Sequence, residues 1–533
     1  MKKILTIILI LPAFLFAQTV KLTWSPELDI KKKTYIDDII HTDSSGIYYT
    51  TVERQGGLYG GMRAPKSESI EKISTNFNPI FSKENTALEE DYMPNGMFFA
   101  KTNFLNFMSY YTRKQGGTKY YVTTTDMNGN ASPNSKEYLS INEDNFAKVA
   151  NLSIVASYDN SNFLVVAERE ASRKNLKEDG KISLTVLSNT GDKIWQRFLN
   201  ISNKLDGQIN IIQEQITPNG TVYLLLKEYL TEKNKETIKD NNGKKVPGYK
   251  YRIIRLSENG SNTKDFAIDL GKLYINSTDL KINTQSNNLV CSGFYNDQDN
   301  EVLKGLFYFE IDGSGNTIKK NNKDFPQDFV EEFKKNKGTK KDKKNNDDDD
   351  LGLAKSFRID KIFARKDGGA YLVSEFYELV ISTSYSKYGT TTTYHYFSND
   401  ILVVDVDSDG SIDWFNRIPK RQHEINQYKY SSYISALIGD KLAVVFNDNP
   451  RNLEIEDDEK SAGVYGSFKK TNCMMYLIDK TKTTTKKELF RNNEIETILC
   501  PMKSRVVDEN TIILYAEKGK NNDVKLGKLT ITP

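Results

Sequence analysis

The sequence repeats one unit of short strands, and this repeat limits the possible folds more than any other feature. Each unit holds a polar turn, a strand, a variable stretch, a second strand, a turn with Gly and a further strand. Two copies read "SYDNSNFLVVAERE … KISLTVLSNTGDKIWQRFLNI" and "FARKDGGAYLVSEFYELVI … NDILVVDVDSDGSIDWFNRIPK". The turns before the second strands lie near Gly46, Gly96, Asn162, Gly220, Asn288, Gly369, Asp440 and Asn510. Their spacing of about 50 to 80 residues indicates a repeat architecture.

Four strands fit into each unit, because apolar residues alternate along the segments and Gly, Asn or Asp stand at the turns. Long helical periods are almost absent between them. Repeated four-stranded sheets predict an all-β fold of the β-propeller type. We expect eight four-stranded blades, with seven as the alternative because the first two units are weakly marked.

The tryptophans indicate how the ring of blades closes. Trp195 and Trp414 each lie four residues after a turn Gly and open the fourth strand of a unit. Trp24 lies in a similar strand, "VKLTWSPELDI", with no preceding strands of its own. The last unit has only three strands. The N-terminal strand is therefore predicted to join the C-terminal blade, which leaves no free sheet edge at the join.

The first residues are typical of a secretory signal peptide. Met1-Lys2-Lys3 is followed by an apolar run from Ile4 to Phe16 and then by Ala17-Gln18. The run is short for a transmembrane helix, and no later run is long enough to span a bilayer. We expect residues 1–17 to be removed and residues 18–533 to form a single propeller domain in the periplasm, associated with the outer membrane, or secreted. A low-complexity insertion between blades is expected at about 326–356.

The charge balance bears on which partners the protein can bind, and the cysteines bear on whether it contains disulfides. The 74 Lys and Arg residues nearly balance the 71 Asp and Glu residues and are mixed with them along the chain. A nucleic-acid partner is therefore not expected, because it would require a basic stripe. Cys291, Cys473 and Cys500 lie in apolar strand-like runs and are interpreted as buried thiols, with one disulfide plus one thiol as the alternative.

One motif suggests a metal site. Asp405, Asp407 and Asp409 alternate before Gly410, as in the first half of an EF-hand loop. The sibling turns "TVLSNTGDKIW" and "IRLSENGSNTK" keep the Gly but lack the three carboxylates, and Asn416 stands where the loop needs Glu. A hairpin turn is the preferred interpretation, and calcium binding is the alternative.

The long insertions fall between second and third strands or between blades, so one face of the propeller is expected to carry most of the loops. They are residues 230–250, 382–399, 447–470 and about 326–356. The 382–399 segment places tyrosines among Ser and Thr, a composition that suits recognition of a protein or glycan. The alternative is a long hairpin whose side chains only pair across strands. The predicted binding residues are Tyr385, Tyr388, Tyr394, Tyr396, Lys420 and Gln422. Lys420 and Gln422 come from the stretch after Trp414, for which a solvated loop between blades without a binding role is the alternative interpretation.

Familiar catalytic motifs are absent from the sequence. There is no G-x-S-x-G, HExxH, P-loop or dinucleotide fingerprint, and a His-rich metal site is not expected from only three His residues. No cofactor is predicted. Glycoside hydrolysis by a pair of carboxylates stays an alternative, because Asp and Glu are abundant, but the sequence does not single out any one pair. The chain is interpreted as leaning towards a non-enzymatic protein.

The stretch "YHYFSNDILVVDVDSDGSIDWFNRIPKRQ", followed by "SSYISALIGDKLAVVFND", resembles a set of exported β-propeller-like proteins of the Bacteroidota. The leader ending "FLFAQ" and the richness in Lys, Asn and Ile are similar to that group as well. The resemblance implies export and a propeller fold, and it brings no activity with it. We expect a propeller that binds an envelope protein or glycan, with a propeller hydrolase and a scaffold without specific ligand as alternatives.

Overall fold

The computed structural model describes residues 19–31, 33–54, 65–85, 92–112, 117–141, 149–169, 181–200, 209–231, 234–240, 242–297, 302–335, 353–354, 356–387, 389–455, 461–518 and 523–532. The predicted signal peptide and Tyr388 lie outside these residues. The described residues are almost entirely strands and turns, with one α-helix, α1 (Gln327–Lys335), and 3-10 turns at Pro450–Leu453 and Pro501–Lys503. None of these helices is long and apolar enough to cross a membrane.

The strands of the first half of the chain are β1 (Thr19–Trp24), β2 (Thr34–Asp43), β3 (Gly46–Arg54), β4 (Pro65–Ile73), β5 (Pro79–Glu84), β6 (Tyr92–Ala100), β7 (Asn103–Thr112), β8 (Gly117–Asp126), β9 (Lys136–Ile141), β10 (Val149–Ala156), β11 (Asn162–Arg169), β12 (Lys181–Ser188), β13 (Lys193–Asn200), β14 (Ile209–Ile216), β15 (Val222–Tyr229), β16 (Thr237–Lys239), β17 (Lys245–Pro247), β18 (Tyr249–Ser257) and β19 (Asn262–Ile268).

The strands of the second half are β20 (Tyr274–Ile282), β21 (Leu289–Asn296), β22 (Val302–Leu303), β23 (Gly305–Ile311), β24 (Thr317–Asp324), β25 (Leu353–Ala354), β26 (Phe357–Ala364), β27 (Ala370–Ser386), β28 (Gly389–Val406), β29 (Ile412–Ile425), β30 (Ile434–Ile438), β31 (Lys441–Asp448), β32 (Val464–Tyr465), β33 (Asn472–Ile478), β34 (Thr484–Arg491), β35 (Ile498–Leu499), β36 (Arg505–Asp508), β37 (Thr511–Lys518) and β38 (Asp523–Thr532).

Within the described residues, these strands form eight sheets of four or five strands that follow one another along the chain and are antiparallel except for the β29–β32 pair, and two short two-stranded sheets, β16-β17 and β22-β25. A typical sheet has the order β10-β11-β12-β13. The first strands of neighbouring sheets contact each other, as β14, β20 and β26 do, and β36 contacts both β30 and β2. The first strands therefore surround a common axis, and the protein is an all-β propeller as predicted.

Burial along each sheet explains its sequence pattern. The middle strands β21, β23 and β33 are buried over their whole length, because neighbouring sheets cover both of their faces. Such strands read as continuous apolar runs. The fourth strand β24 alternates between exposed and half-buried residues, since only one of its faces packs against the next sheet. The core is therefore a series of apolar layers between sheets rather than one central cluster.

The ring closes as the tryptophan pattern predicts. Strand β1 pairs antiparallel with β38, from Thr19 opposite Thr532 to Trp24 opposite Gly527. The Trp24 ring packs edge-on against Phe490 of the preceding sheet, at a centroid distance of 4.9 Å. A Cβ atom at position 527 would lie 2.9 Å from the Trp24 ring, so only glycine fits there without displacement. The first described strand thus completes the last described sheet.

The expected insertion between blades begins with helix α1. Phe329, Val330 and Phe333 of this helix are buried, and Phe329 packs on Phe415 with ring centroids 5.5 Å apart. The helix contacts β29, so its apolar face covers the outer side of that sheet. The acidic and basic residues that follow the helix, at 336–352, lie outside the described residues.

Candidate binding site: the projecting sheet

One hairpin is much longer than the others. Strands β27, β28 and β29 have 17, 18 and 14 residues. Strand β26 pairs with β27 only as far as Phe376, whereas β27 continues to pair with β28 as far as Ser386. Ten residues at a rise of about 3.3 Å per residue extend about 30 Å beyond the blade. We call this extension, residues 377–387 and 389–399 with 421–425 and β32, the projecting sheet.

The structure corrects the expectation that residues 382–399 form a loop. The described residues of this segment lie in strands β27 and β28 or in the turn at Lys387, and Gly389 takes a φ of +130° that suits glycine. The register places Ile381 opposite Tyr394 and Tyr385 opposite Thr390. The cross-strand pairing of Tyr and Thr that sequence analysis left as the alternative is therefore present. Pairing does not remove the tyrosines from solvent, because each strand presents alternate residues on two faces.

One side of the projecting sheet, the tyrosine side, is exposed and apolar. Tyr385 is 82% exposed and Ile381 is 56% exposed, and Leu379 and Tyr394 are exposed beside them. The register places all four on the same side, since Ile381 lies opposite Tyr394. Tyr396, opposite Leu379, is half-buried. Three of the predicted binding tyrosines are thus brought together on one surface.

Tyr396 is held from below by a short loop. Its ring stacks on that of Tyr428, with centroids 5.5 Å apart, and Tyr377 meets Tyr428 edge-on at 5.3 Å. The loop that carries Tyr428 is fixed by Glu424, whose Oε2 accepts the backbone N–H groups of Lys429, Tyr430 and Ser431 at 2.8 to 3.0 Å. The base of the tyrosine side is therefore rigid, and its tip is open to solvent.

The opposite side carries two histidines. His395 Nδ1 lies 3.1 Å from His423 Nε2, and Ser382 Oγ lies 3.2 Å from His395 Nε2. The His423 ring stacks on Phe397, with centroids 4.4 Å apart. Burial, together with the neighbouring His395, lowers the pKa of His423. The pair therefore favours an arrangement in which at least one imidazole is neutral and accepts a hydrogen bond.

Lys420 and Gln422 do not lie on a solvated loop, as was expected, but in strand β29. Both are fully buried, with 0% exposure. Lys420 Nζ donates to Glu375 Oε1 at 2.6 Å, to Ser398 O at 2.9 Å and to Gln422 Oε1 at 3.1 Å. Three donors thus meet three acceptors, which satisfies the buried ammonium. These two residues hold the base of the projecting sheet and present no surface to a partner.

The three alternating aspartates form the turn between β28 and β29. Asp407 N–H donates to Ser411 O at 2.8 Å, and Gly410 takes a φ of +90°. Each carboxylate has its own partner: Asp405 is buried against Arg365, Asp407 lies 2.9 Å from Lys480, and Asp409 accepts from Ser411. Hydrogen bonds from Ser411 lower the pKa of Asp409. This is the hairpin turn preferred from the sequence, and the carboxylates do not converge on one point as calcium ligands do.

Acidic groups also stand near the common axis. Asp279 lies in β20, and Asp360 lies in a β-bulge of β26, between Ile359 and Lys361. Burial raises the pKa of Asp279 to about 7, and the charge of Asp360 adds to this effect. Burial, with the charge of Glu375, raises the pKa of Asp360 to about 6, although Tyr433 donates a hydrogen bond to it. Such groups can exchange protons near neutral pH.

Sequence reasoning missed the apolar residues of β27 and the histidine pair. The run "YELVISTSY" contains no Gly or Pro and many β-branched residues, and this was the signal that the strand continues. Cys291, Cys473 and Cys500 are all buried free thiols, as preferred from the sequence. Burial raises the pKa of Cys291 to about 12, so this thiol is inert.

No family model matches the sequence, and no curated protein matches it either. Solved structures give remote likenesses. The Dos1 propeller is 8% identical with a TM-score of 0.40, covering 96% of this chain and 95% of its own. The β-propeller domain of the Trilobed protease from Pyrococcus furiosus is 11% identical with a TM-score of 0.34, covering 87% and 98%. An oligogalacturonate lyase from Vibrio parahaemolyticus is 9% identical with a TM-score of 0.35, covering 96% and 97%. Likenesses this remote bring no activity to this chain.

Proposed function

We propose that this protein is an exported, non-enzymatic β-propeller that binds a protein of the cell envelope through the tyrosine side of the projecting sheet. The proposal is based on one observation: four apolar side chains are exposed on one surface, those of Leu379, Ile381, Tyr385 and Tyr394. Contiguous exposed apolar side chains on a soluble scaffold mark interaction sites. Aliphatic residues beside the tyrosines favour a protein over a glycan, since sugars stack mainly on aromatic rings.

The rigid base supports the same proposal. A binding surface gains affinity when its side chains are already ordered before the partner arrives. Tyr396, Tyr428 and Tyr377 pack on one another, and Glu424 fixes the loop beneath them. Tyrosine at the tip supplies contact area with few rotatable bonds. The sheet thus presents an exposed apolar surface on a base whose aromatic rings are already packed.

Capture from native cells tests the proposal. The tagged protein is crosslinked lightly in the envelope, and its partners are identified by mass spectrometry. The variant Leu379→Ser/Ile381→Ser/Tyr394→Ser should lose the stoichiometric partner. The matched control Ile194→Ser/Phe198→Ser/Ile318→Ser removes three other exposed apolar residues, which lie on fourth strands, and should keep it. Equal capture by both variants would show that the tyrosine side is not the binding surface.

Export has its own test. Residues 1–17 have the charge and apolar pattern of a secretory leader. Fractionation of native cells should place the protein outside the cytoplasm, and N-terminal sequencing should begin at Gln18. A cytoplasmic protein that retains Met1 would contradict this part of the proposal.

A hydrolase is the second candidate, because Asp279 and Asp360 have raised pKa values and lie on neighbouring first strands. One such group could act as a general acid in a glycan or peptide cleavage. The purified protein would then turn over envelope polysaccharides or peptides, and Asp279→Asn and Asp360→Asn would each abolish turnover. Inactivity across a broad panel of such substrates would remove this candidate.

A further inference from the structure

In the part of the chain that the structure describes, the outer edge of β27 has no strand beside it over the projecting sheet. Strand β26 stops pairing at Phe376, and β28 occupies the other edge. Among the described residues, no further strand pairs with Glu378 to Tyr385. An unpaired edge presents backbone N–H and C=O groups that another extended chain can satisfy.

The residues whose backbone groups face this edge can be identified. Tyr394 of β28 directs its N–H to Asn426 Oδ1 and its C=O to Asn426 N–H, both on the β29 side. Tyr394 and its partner Ile381 are therefore a pair without mutual hydrogen bonds, and the alternation of antiparallel pairing follows from there. The backbone groups of Leu379, Ile381, Thr383 and Tyr385 point outwards, whereas those of Val380, Ser382 and Ser384 pair with β28.

This edge lacks the features that usually prevent pairing with another chain. Between Leu379 and Ser386 there is no Pro, no Lys and no other charged residue. The β27–β28 register shows a bulge only between Glu375 and Tyr377, at the base. Natural edge strands are normally short, charged or bulged. A long, neutral and regular edge indicates that it is used.

We infer that a second copy of this chain pairs with the edge, antiparallel and about a two-fold axis at Ser382. In this register Leu379 lies opposite Tyr385 of the partner subunit, and Ile381 lies opposite Thr383 of the partner subunit. All four outward-facing residues of each copy then lie opposite an outward-facing residue of the other copy. Each such pair exchanges two backbone hydrogen bonds, which gives roughly eight in total. The two apolar pairs fall on the tyrosine side, where cross-strand contacts between aliphatic and aromatic residues stabilise a sheet.

The edge itself favours a second copy over other occupants. A two-fold interface requires a surface that is complementary to itself, and this register meets that condition without bringing like charges together. Shifting the axis to Ile381 or Thr383 leaves one outward residue of each strand unpaired or opposite a turn. The extension of about 30 Å also keeps the two propeller bodies apart. The dimer would join two projecting sheets into one continuous sheet with a doubled tyrosine side.

Sedimentation equilibrium of the full chain, from about 1 µM to about 100 µM, tests the inference. The protein should form a dimer. Thr383→Pro removes one outward N–H without touching the β28 side and should weaken dimerisation about tenfold or more. The matched control Thr383→Val keeps the N–H and the β-branched shape and should leave the dimer intact. A monomer at every concentration, or a dimer that Thr383→Pro leaves unchanged, would overturn the inference.

Residue-resolved hydrogen exchange distinguishes edge pairing from any other dimer. The amides of Leu379, Ile381, Thr383 and Tyr385 should be protected at high concentration and exposed at low concentration. Those of Val380, Ser382 and Ser384 should be protected in both states, which also shows that the hairpin is intact. If the amides of Val380, Ser382 and Ser384 lose their protection in Thr383→Pro, the hairpin itself is damaged. Ile381→Lys is then used as the test variant, since lysine at the edge opposes pairing with another chain while preserving the hairpin. A dimer whose outward amides stay exposed would overturn the inference.

Discussion

Lys420 and Glu375 form an ion pair of 2.6 Å, with 0% and 2% of their side chains exposed. Removing one partner leaves a buried charge that nothing compensates, which costs about 3 to 5 kcal/mol. Glu375→Gln and Lys420→Met should therefore each lower the free energy of unfolding by about that amount. The double variant Glu375→Leu/Lys420→Met should recover most of the loss, because neither charge of the pair is left buried without its partner. Denaturant titrations would check this, and additive losses in the double variant would contradict it.

The closing strand allows a second prediction. Gly527→Ala places a Cβ within 2.9 Å of the Trp24 ring and should destabilise the protein by about 1 to 3 kcal/mol. In a Trp24→Ala background the ring is absent, so the same substitution should cost little. A double-mutant cycle in denaturant measures the difference. An equal cost in both backgrounds would mean that the two residues do not meet as described.

The histidine pair predicts a pH dependence. Burial and His395 lower the pKa of His423, so the folded state takes up this proton less readily than the unfolded state does. The contribution of His423 to stability is complete above the unfolded pKa of about 6.5 and declines as the pH falls below it. Histidine NMR should show His423 titrating below pH 6.5. Hydrogen exchange of the projecting sheet, corrected for intrinsic rates, should show easier opening at pH 5 than at pH 7.

His423→Gln provides the control for this dependence. The glutamine variant does not titrate, so the difference in opening between pH 5 and pH 7 should shrink. His41, whose pKa is also lowered by burial, lies in β2 and far from this sheet along the chain. His41→Gln should leave the pH dependence of the projecting sheet unchanged. If His41→Gln removes it instead, the effect arises elsewhere.

Asp279 predicts a dependence of the opposite sign. Burial raises its pKa to about 7, so the folded state holds this proton where the unfolded state has lost it. Its cost to stability is absent below about pH 4 and grows as the pH rises towards 7. Asp279→Asn resembles the protonated carboxyl and should raise the melting temperature at pH 8 but not at pH 4. An unchanged melting temperature at both pH values would show that the carboxylate is well solvated.

The fold could be predicted from the sequence because its signals are local and repeated. Turn residues recur at similar intervals, and Trp195, Trp414 and Trp24 all lie in outer strands, β13, β29 and β1. Each strand needs only its own alternation and its own turn to be recognised. The closure of the ring could be predicted by counting the strands in each unit. The last unit lacked one strand, and Trp24 belonged to a strand that had no unit of its own.

The site was less predictable, because burial of polar residues is decided by neighbours far away in sequence. Lys420 and Gln422 lie in the polar run "KRQHE", which is typical of exposed residues, yet Glu375 and Asn447 meet them inside the protein. The tyrosines were recognised by composition alone. Their common side depended on the register of β27 and β28, which is fixed by a hairpin whose position the sequence did not reveal.

The pairing of β1 with β38 has a consequence for how the molecule assembles. Strand β1 must wait, unpaired, until β38 has been made, so the ring closes as a late step in folding. During that interval the amphipathic segment from Thr19 to Trp24 is exposed and can associate with other unfolded chains. Once closed, the same contact joins the two ends of the described chain. A single cut in a connection between blades would then leave a ring held together by its remaining neighbours rather than an open row of sheets.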